Sequence, residues 1–214
     1  MYSVAILYYR IDSLFQQGAS KTKEKSGCGM AKHNIYLVGF MGTGKSTIGR
    51  ELARVMGRKF IDMDQELEKR HGSSVSNLFK ERGEQWFRDR EEELCAELAQ
   101  SSNRVVATGG GSLINPANLE AFQKSGLLIC LYTQRDCLVE RLERNEKRPL
   151  LQNTNVGERV DQLLKERQYL YERIKIRIDT TNYTPLETAK RIAELLRTRQ
   201  RILNKLRDQY IDLR

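Results

Sequence analysis

The sequence predicts an α/β fold of three layers, a central five-stranded parallel sheet with helices on both faces. Three observations carry this. Short apolar runs of strand length alternate along the chain with segments of helical periodicity, and such alternation implies right-handed crossovers between parallel strands. Between the first apolar run and the first helical segment stands Gly39-Phe40-Met41-Gly42-Thr43-Gly44-Lys45-Ser46-Thr47, which fits G-x-x-x-x-G-K-S/T letter for letter. Two more clusters, Asp62 with Asp64 and Gly109-Gly110-Gly111, also follow strand runs, and the carboxyl ends of parallel strands are where such sheets bind ligands.

The glycine-rich loop follows Ile35-Tyr36-Leu37-Val38, apolar throughout as a strand buried on both faces requires. Ile48, Leu52, Val55 and Met56 then recur at helical spacing. Glycines 39, 42 and 44 permit a tight backbone whose N–H groups point inward, and the helix dipole adds partial positive charge there. Lys45 can reach the β- and γ-phosphates of a nucleoside triphosphate, and the Ser46 hydroxyl can ligate Mg²⁺. Gly42, Thr43, Gly44, Lys45, Ser46 and Thr47 are therefore the candidate nucleotide-binding residues of a P-loop NTPase fold.

At 214 residues the chain is long enough for one domain with a sizeable core. Its 39% hydrophobic and 30% charged content is that of a soluble protein, and no apolar run approaches transmembrane length. The net charge of +9 suggests an acidic partner, but its distribution argues otherwise. Residues 1–33 carry net +3 and residues 186–214 net +4, leaving +2 for everything between. Solvated basic ends account for that pattern, so neither nucleic acid nor membrane is an expected partner. Cys28, Cys95, Cys130 and Cys137 show no metal or redox spacing and read as thiols in a reducing cytoplasm, with Cys95 and Cys130 buried. His33 and His71 read as surface residues.

In chain order, residues 1–29 differ from the rest. Val4, Leu7, Tyr8, Ile11, Leu14 and Phe15 could form one amphipathic helix, and Gly18 to Gly29 reads as a Lys-rich linker. Met30 follows, and a translation start there would still yield the whole domain, so 1–29 reads as an extension or a start-site artefact. A second strand is expected over Lys59–Asp64, helices around Ser74–Lys80 and Glu84–Ala99, and a third strand over Arg104–Thr108. A short helix opens at Asn115-Pro116, with proline at a favourable first position. A fourth strand is expected over Leu127–Tyr132 and a helix over Arg135–Arg144. Asn145–Asn155 is a polar loop suited to a mobile lid. A helix over Val156–Arg173, a fifth strand over Ile174–Ile178 and a helix opened by the capping box Thr184-Pro185-Leu186-Glu187 complete the domain. Residues 30–198 are thus the expected domain and 199–214 a basic helical extension.

The clusters at the strand ends suggest chemistry. Asp62 and Asp64 can diverge in role where the chain bends: one acid to hold Mg²⁺, the other to accept a proton from an attacking hydroxyl, against the plain alternative of an acidic pair capping a helix. Arg88 and Glu91, three apart on a helix, can pair so that the guanidinium is oriented for bidentate capture of a carboxylate or phosphate. Three glycines in a row cost backbone entropy, so Gly109, Gly110 and Gly111 must answer a need for close approach or positive φ, as when backbone N–H groups hold a hydroxylated small molecule.

The stretches GFMGTGKSTIGRELA, FIDMDQELEKRHG, GEQWFRDREEE, VVATGGGS and KRPLL, in this order and at this spacing, resemble shikimate kinase over roughly residues 33–198. The resemblance implies a nucleoside-monophosphate-kinase-like fold and transfer of the ATP γ-phosphoryl group to the 3-hydroxyl of shikimate. It implies that Asp64 binds the acceptor hydroxyl, that Asp62 and Ser46 attend Mg²⁺, and that Lys45 and the lid arginine Arg148 act on the phosphates. Arg88 and Arg167 would grip the substrate carboxylate, Glu91 would orient Arg88, and Gly109 to Gly111 would form a substrate-contacting turn. Arg141 and Pro185 would flank the adenine. Where the family has Arg-x-Pro-Leu-Tyr, this chain reads Arg167-Gln168-Tyr169-Leu170-Tyr171. The expectation is a cytoplasmic monomer that uses ATP, Mg²⁺ and shikimate. Two rivals remain: another small-metabolite kinase such as a gluconate kinase, against which the triple glycine and paired arginines argue, and an inactive ATP-binding module with nucleic-acid-binding ends.

Overall fold

Alternation within the first strand sorts the core into two halves. The computed structural model describes residues 33–144 and 155–211. In β1 (Asn34–Val38), Ile35 and Leu37 face one side of the sheet while Tyr36 and Val38 face the other. Around β1 lie β2 (Lys59–Asp62), β3 (Arg104–Ala107), β4 (Gly126–Tyr132) and β5 (Ile176–Asp179), all parallel, in the order β2-β3-β1-β4-β5. One face is covered by α1 (Lys45–Met56) and α8 (Pro185–Ile211), through Ile48, Leu52, Ile192 and Leu196. The other is covered by α2 (Met63–His71), α3 (Val75–Arg82), α4 (Glu84–Gln100), α5 (Pro116–Ser125), α6 (Arg135–Glu143) and α7 (Val156–Glu172). Met63, Leu67, Leu94, Phe122, Leu138 and Leu163 join that half of the core. The three-layer, five-stranded parallel expectation holds. Among the described residues no helix is long and apolar enough to cross a membrane.

Local chemistry moves several boundaries. The second strand stops at Asp62 rather than Asp64, because the Asp62 side chain accepts a hydrogen bond from the Gln65 backbone N–H at 3.3 Å and starts α2, a helix absent from the sequence reading. The fifth strand begins at Ile176 rather than Ile174. Ile174 instead closes the turn after α7, its N–H bonded to the Tyr171 carbonyl, and packs into the core. The last helix passes through the expected boundary at 198 without a break and runs to Ile211. Its burial ends sooner: Leu196 is 1% exposed and Ile202 is 54% exposed. His71 is exposed and meets the Trp86 ring edge-on, but His33 is half-buried, and its carbonyl accepts from Arg58. Cys95 and Cys130 are buried as expected, and burial raises both thiols, Cys130 to about 11. The N-terminal helix and linker expected over 1–29, Cys28, and the lid with Arg148 lie outside the described residues.

Candidate active site

Two cavities open side by side at the carboxyl ends of the strands. The first is built on the glycine-rich loop between β1 and α1. Gly39 has φ 135°, and a Cβ there would lie 2.2 Å from the Leu131 carbonyl oxygen, so the loop presses on β4 more closely than any side chain permits. Buried Thr43 ties the loop to itself, donating to the Phe40 carbonyl at 2.8 Å. Gly44 leads into α1 with φ 89°. Lys45 Nζ donates to the carbonyls of Gly39 (2.9 Å) and Phe40 (3.0 Å), folding over the loop it would serve.

Ser46, Thr47, Arg141 and Pro185 line the same cavity. Arg141 donates to the Gly42 carbonyl at 3.4 Å and to the Thr180 carbonyl at 3.1 Å, so α6 and the segment after β5 are both fastened to the loop. Thr180 and Tyr183, which the sequence reading passed over, also line it. The Thr180 hydroxyl lies 3.2 Å from the Thr43 carbonyl, and the Arg191 guanidinium stacks 3.9 Å over the Tyr183 ring. Their only sequence signal was their place just past a strand's carboxyl end.

The second cavity brings together Asp64, Arg88, Glu91, the triple glycine and Arg167, with Met41 of the glycine-rich loop in its wall. Asp64 stands in the first turn of α2, directly after the capping residue Asp62. The two acids do diverge: Asp62 is buried and caps the helix, as the plain alternative had it, while Asp64 faces the cavity. Arg88 and Glu91 pair on α4 as their spacing implied, Nη1 to Oε2 at 2.7 Å. Glu91 is only 2% exposed, and its other oxygen accepts from the buried Ser112 hydroxyl at 2.5 Å. A second carboxylate, Glu84, holds Arg88 Nη2 at 3.1 Å, and the rings of Phe79 and Phe87 flank the guanidinium. Burial is the largest single influence on Arg88 and lowers its pKa, but the charges and hydrogen bonds of Glu91 and Glu84 together outweigh it and the net shift is upward, so the guanidinium stays charged.

The triple glycine answers close approach, not positive φ: none of the three is among the residues with left-handed backbone. A Cβ on Gly109 would lie 2.6 Å from Glu91 Oε1 and 3.0 Å from Asp64 Oδ1, and one on Gly111 would lie 2.9 Å from both terminal nitrogens of Arg88. Part of the requirement is thus internal, since the chain's own acids and arginine pack against the turn. Only at Gly110 is there room. Its carbonyl accepts from Arg167 Nη1 at 3.2 Å and from the Tyr171 hydroxyl at 3.0 Å. Tyr169, standing where the family has proline, is 58% exposed, whereas Arg167 is buried, so the substitution falls on the far side of an unbroken α7. Ser112 and Tyr171 fall inside stretches that carry the family resemblance, but the sequence reading gave neither a role. Tyr171 carried a signal, its i, i+4 spacing from Arg167.

Comparison with known proteins agrees with this geometry. The sequence model of the shikimate kinase family matches residues 41–197. The chain is 41% identical over 159 residues to a shikimate kinase of Thermodesulfovibrio yellowstonii, covering 74% of this chain and 92% of that one. It is 44% identical over 162 residues to a shikimate kinase of Actinobacillus pleuropneumoniae, covering 76% and 92%. Among solved structures, a shikimate kinase from Acinetobacter baumannii in complex with shikimate superposes with a TM-score of 0.76 at 37% identity, over 79% of this chain and 96% of that one. With family likeness spanning most of its length and the strand-end clusters gathered around one crevice, the chain belongs to the shikimate kinase family.

Proposed function

We propose that the chain transfers the γ-phosphoryl group of ATP to the 3-hydroxyl of shikimate, giving shikimate 3-phosphate and ADP. The observation that carries this is a pair of cavities on the same loop, one walled by Gly42 to Ser46 and the other by Met41 with an acid and two arginines. In this reading Arg88 and Arg167 hold the substrate carboxylate, and the turn Gly109–Gly111 supports the ring beside them. Asp64 receives the proton of the attacking hydroxyl as the new P–O bond forms and the bond to the ADP oxygen breaks. Lys45 leaves the carbonyls of Gly39 and Phe40 to neutralise the β- and γ-phosphates, and Arg141 and Pro185 flank the base. Arg148, from the lid, adds a guanidinium to the transferring group. That role rests on the resemblance alone.

Ser46 and Asp62 would hold Mg²⁺. The donor set fits, because both are hard oxygen ligands and the cap at Gln65 engages only Oδ1 of Asp62. The metal would screen phosphate charge and orient the γ-phosphoryl group. In this reading the chain works as a monomer in the cytoplasm, with no macromolecular partner. Residues 30–198 suffice for the catalytic unit, with 1–29 and 199–214 outside it.

The test is ADP release by purified protein with ATP·Mg²⁺ and a panel of acceptors. Shikimate should turn over far faster than gluconate or water. A faster rate with another acceptor would overturn the substrate assignment.

A further inference from the structure

Arg167 and Tyr171 lie one turn apart on the buried face of α7, and both donate to a single acceptor, the Gly110 carbonyl oxygen. Gly110 is the one position of the turn with space around it, its nearest non-neighbour atom being 3.8 Å from a notional Cβ. The flanking glycines are packed and the turn is closed by backbone bonds from Ser112 to Gly109 and from Ile114 to Gly111, but the direction of the Gly110 carbonyl itself is set by the two side-chain hydrogen bonds. Arg167 spends Nη1 on this bond, which sets the plane of its fork and leaves the other nitrogen edge for a ligand. The Tyr171 ring is 9% exposed, and burial pushes its hydroxyl up to about 12, so it remains a donor across the working pH range.

We propose that Tyr171 is a positioning residue: its hydroxyl fixes the Gly110 carbonyl at the point where that carbonyl orients Arg167 toward the substrate carboxylate. The inference rests on the reading that this cavity takes shikimate through Arg167. Tyr171 itself does not touch the substrate. Without its hydroxyl the Gly110 carbonyl keeps Arg167 as its one side-chain donor, and the guanidinium loses the fixed acceptor that orients it.

The experiment compares wild type, Tyr171→Phe, Arg167→Lys and the double variant by steady-state kinetics, varying shikimate and ATP separately. Phenylalanine keeps the ring and removes only the donor. Loss of one hydrogen bond of ordinary strength predicts a rise of about three- to tenfold in shikimate KM. The KM for ATP should stay within about twofold, as should kcat. In the Arg167→Lys background the same change should have little further effect, because the fork it orients is gone and the two residues act through one acceptor. An unchanged shikimate KM in Tyr171→Phe, an equal rise in both KM values, or the same multiplicative effect in both backgrounds would each overturn the inference. Wild type that ignores shikimate would instead remove the substrate reading, and this inference with it. Should Tyr171→Phe fold poorly, the carbonyl carbon NMR shift of Gly110 in Arg167→Lys tests the same hub: it should keep part of its hydrogen-bonded shift while Tyr171 still donates, and a full move to the value of an unbonded carbonyl would show that Tyr171 holds nothing.

Discussion

Substituting Gly111 by alanine should damage substrate binding through Arg88 and not through the backbone. Gly111 has φ −113° and ψ 0°, a conformation open to any residue, so alanine brings no torsional strain. The new methyl would instead lie 2.9 Å from Nη1 and Nη2 of Arg88 and 3.2 Å from Cζ. Carbon contacts settle near 3.5–4.0 Å, so the guanidinium must retreat by roughly 0.5–1 Å. It has little freedom to do so, held by Glu91 at 2.7 Å and Glu84 at 3.1 Å and flanked by two phenylalanine rings. A retreat of that size away from Glu91 stretches the 2.7 Å bond to the edge of hydrogen-bond range or past it, and at 2% exposure Glu91 gains no water in return. A hydrogen bond to a charged group contributes about 1.5–3 kcal/mol. For a domain of this size that lowers Tm by roughly 3–12 °C. Loss of a comparable contact to the carboxylate raises shikimate KM about 10- to 100-fold, with ATP KM within about twofold. Thermal unfolding and coupled ADP kinetics read both. Gly110→Ala is the control for stability: its methyl meets nothing closer than 3.8 Å, so Tm should not move. Wild-type Tm and wild-type shikimate KM in Gly111→Ala would refute both the packing of Arg88 against this turn and its role at the carboxylate.

Asp64→Asn keeps the size of the side chain but removes the base, so kcat should fall about 10²- to 10⁴-fold, and near-normal turnover would take Asp64 out of the mechanism. Arg148→Ala should depress kcat strongly with little change in shikimate affinity, because an arriving guanidinium acts on charge that develops in the transition state. An intact kcat with weakened ATP binding would make Arg148 a ground-state contact. A truncated protein spanning 30–198 retains Leu196, the last fully buried residue of α8 among the described side chains, and should fold and turn over shikimate as the full chain does. Loss of activity in a folded truncation would assign the ends a part in the site.

The sequence by itself determined the sheet and the location of the chemistry. Ile35–Val38, apolar on both faces, could only be a central strand, and a glycine-rich loop ending in Lys45-Ser46 could only be useful at a helix N-terminus. Arg88 and Glu91 were legible as a pair because helical spacing alone brings positions three apart together. These features are local, and local geometry follows from residue type. What lay beyond reach depended on contacts distant in the chain. Spacing alone left Asp62 and Asp64 interchangeable, and only the family resemblance gave them separate roles. A cap bond to Gln65 buried one and turned the other to the cavity. The triple glycine announced crowding but not its cause, which is the arrival of Glu91 and Arg88 from α4 and Asp64 from α2. Ser112 and Tyr171 end motif stretches in which they were given no role, and Thr180 lies in none. Each matters only because a buried hydroxyl must find a partner, and folding set that partner 21, 61 and 137 residues away.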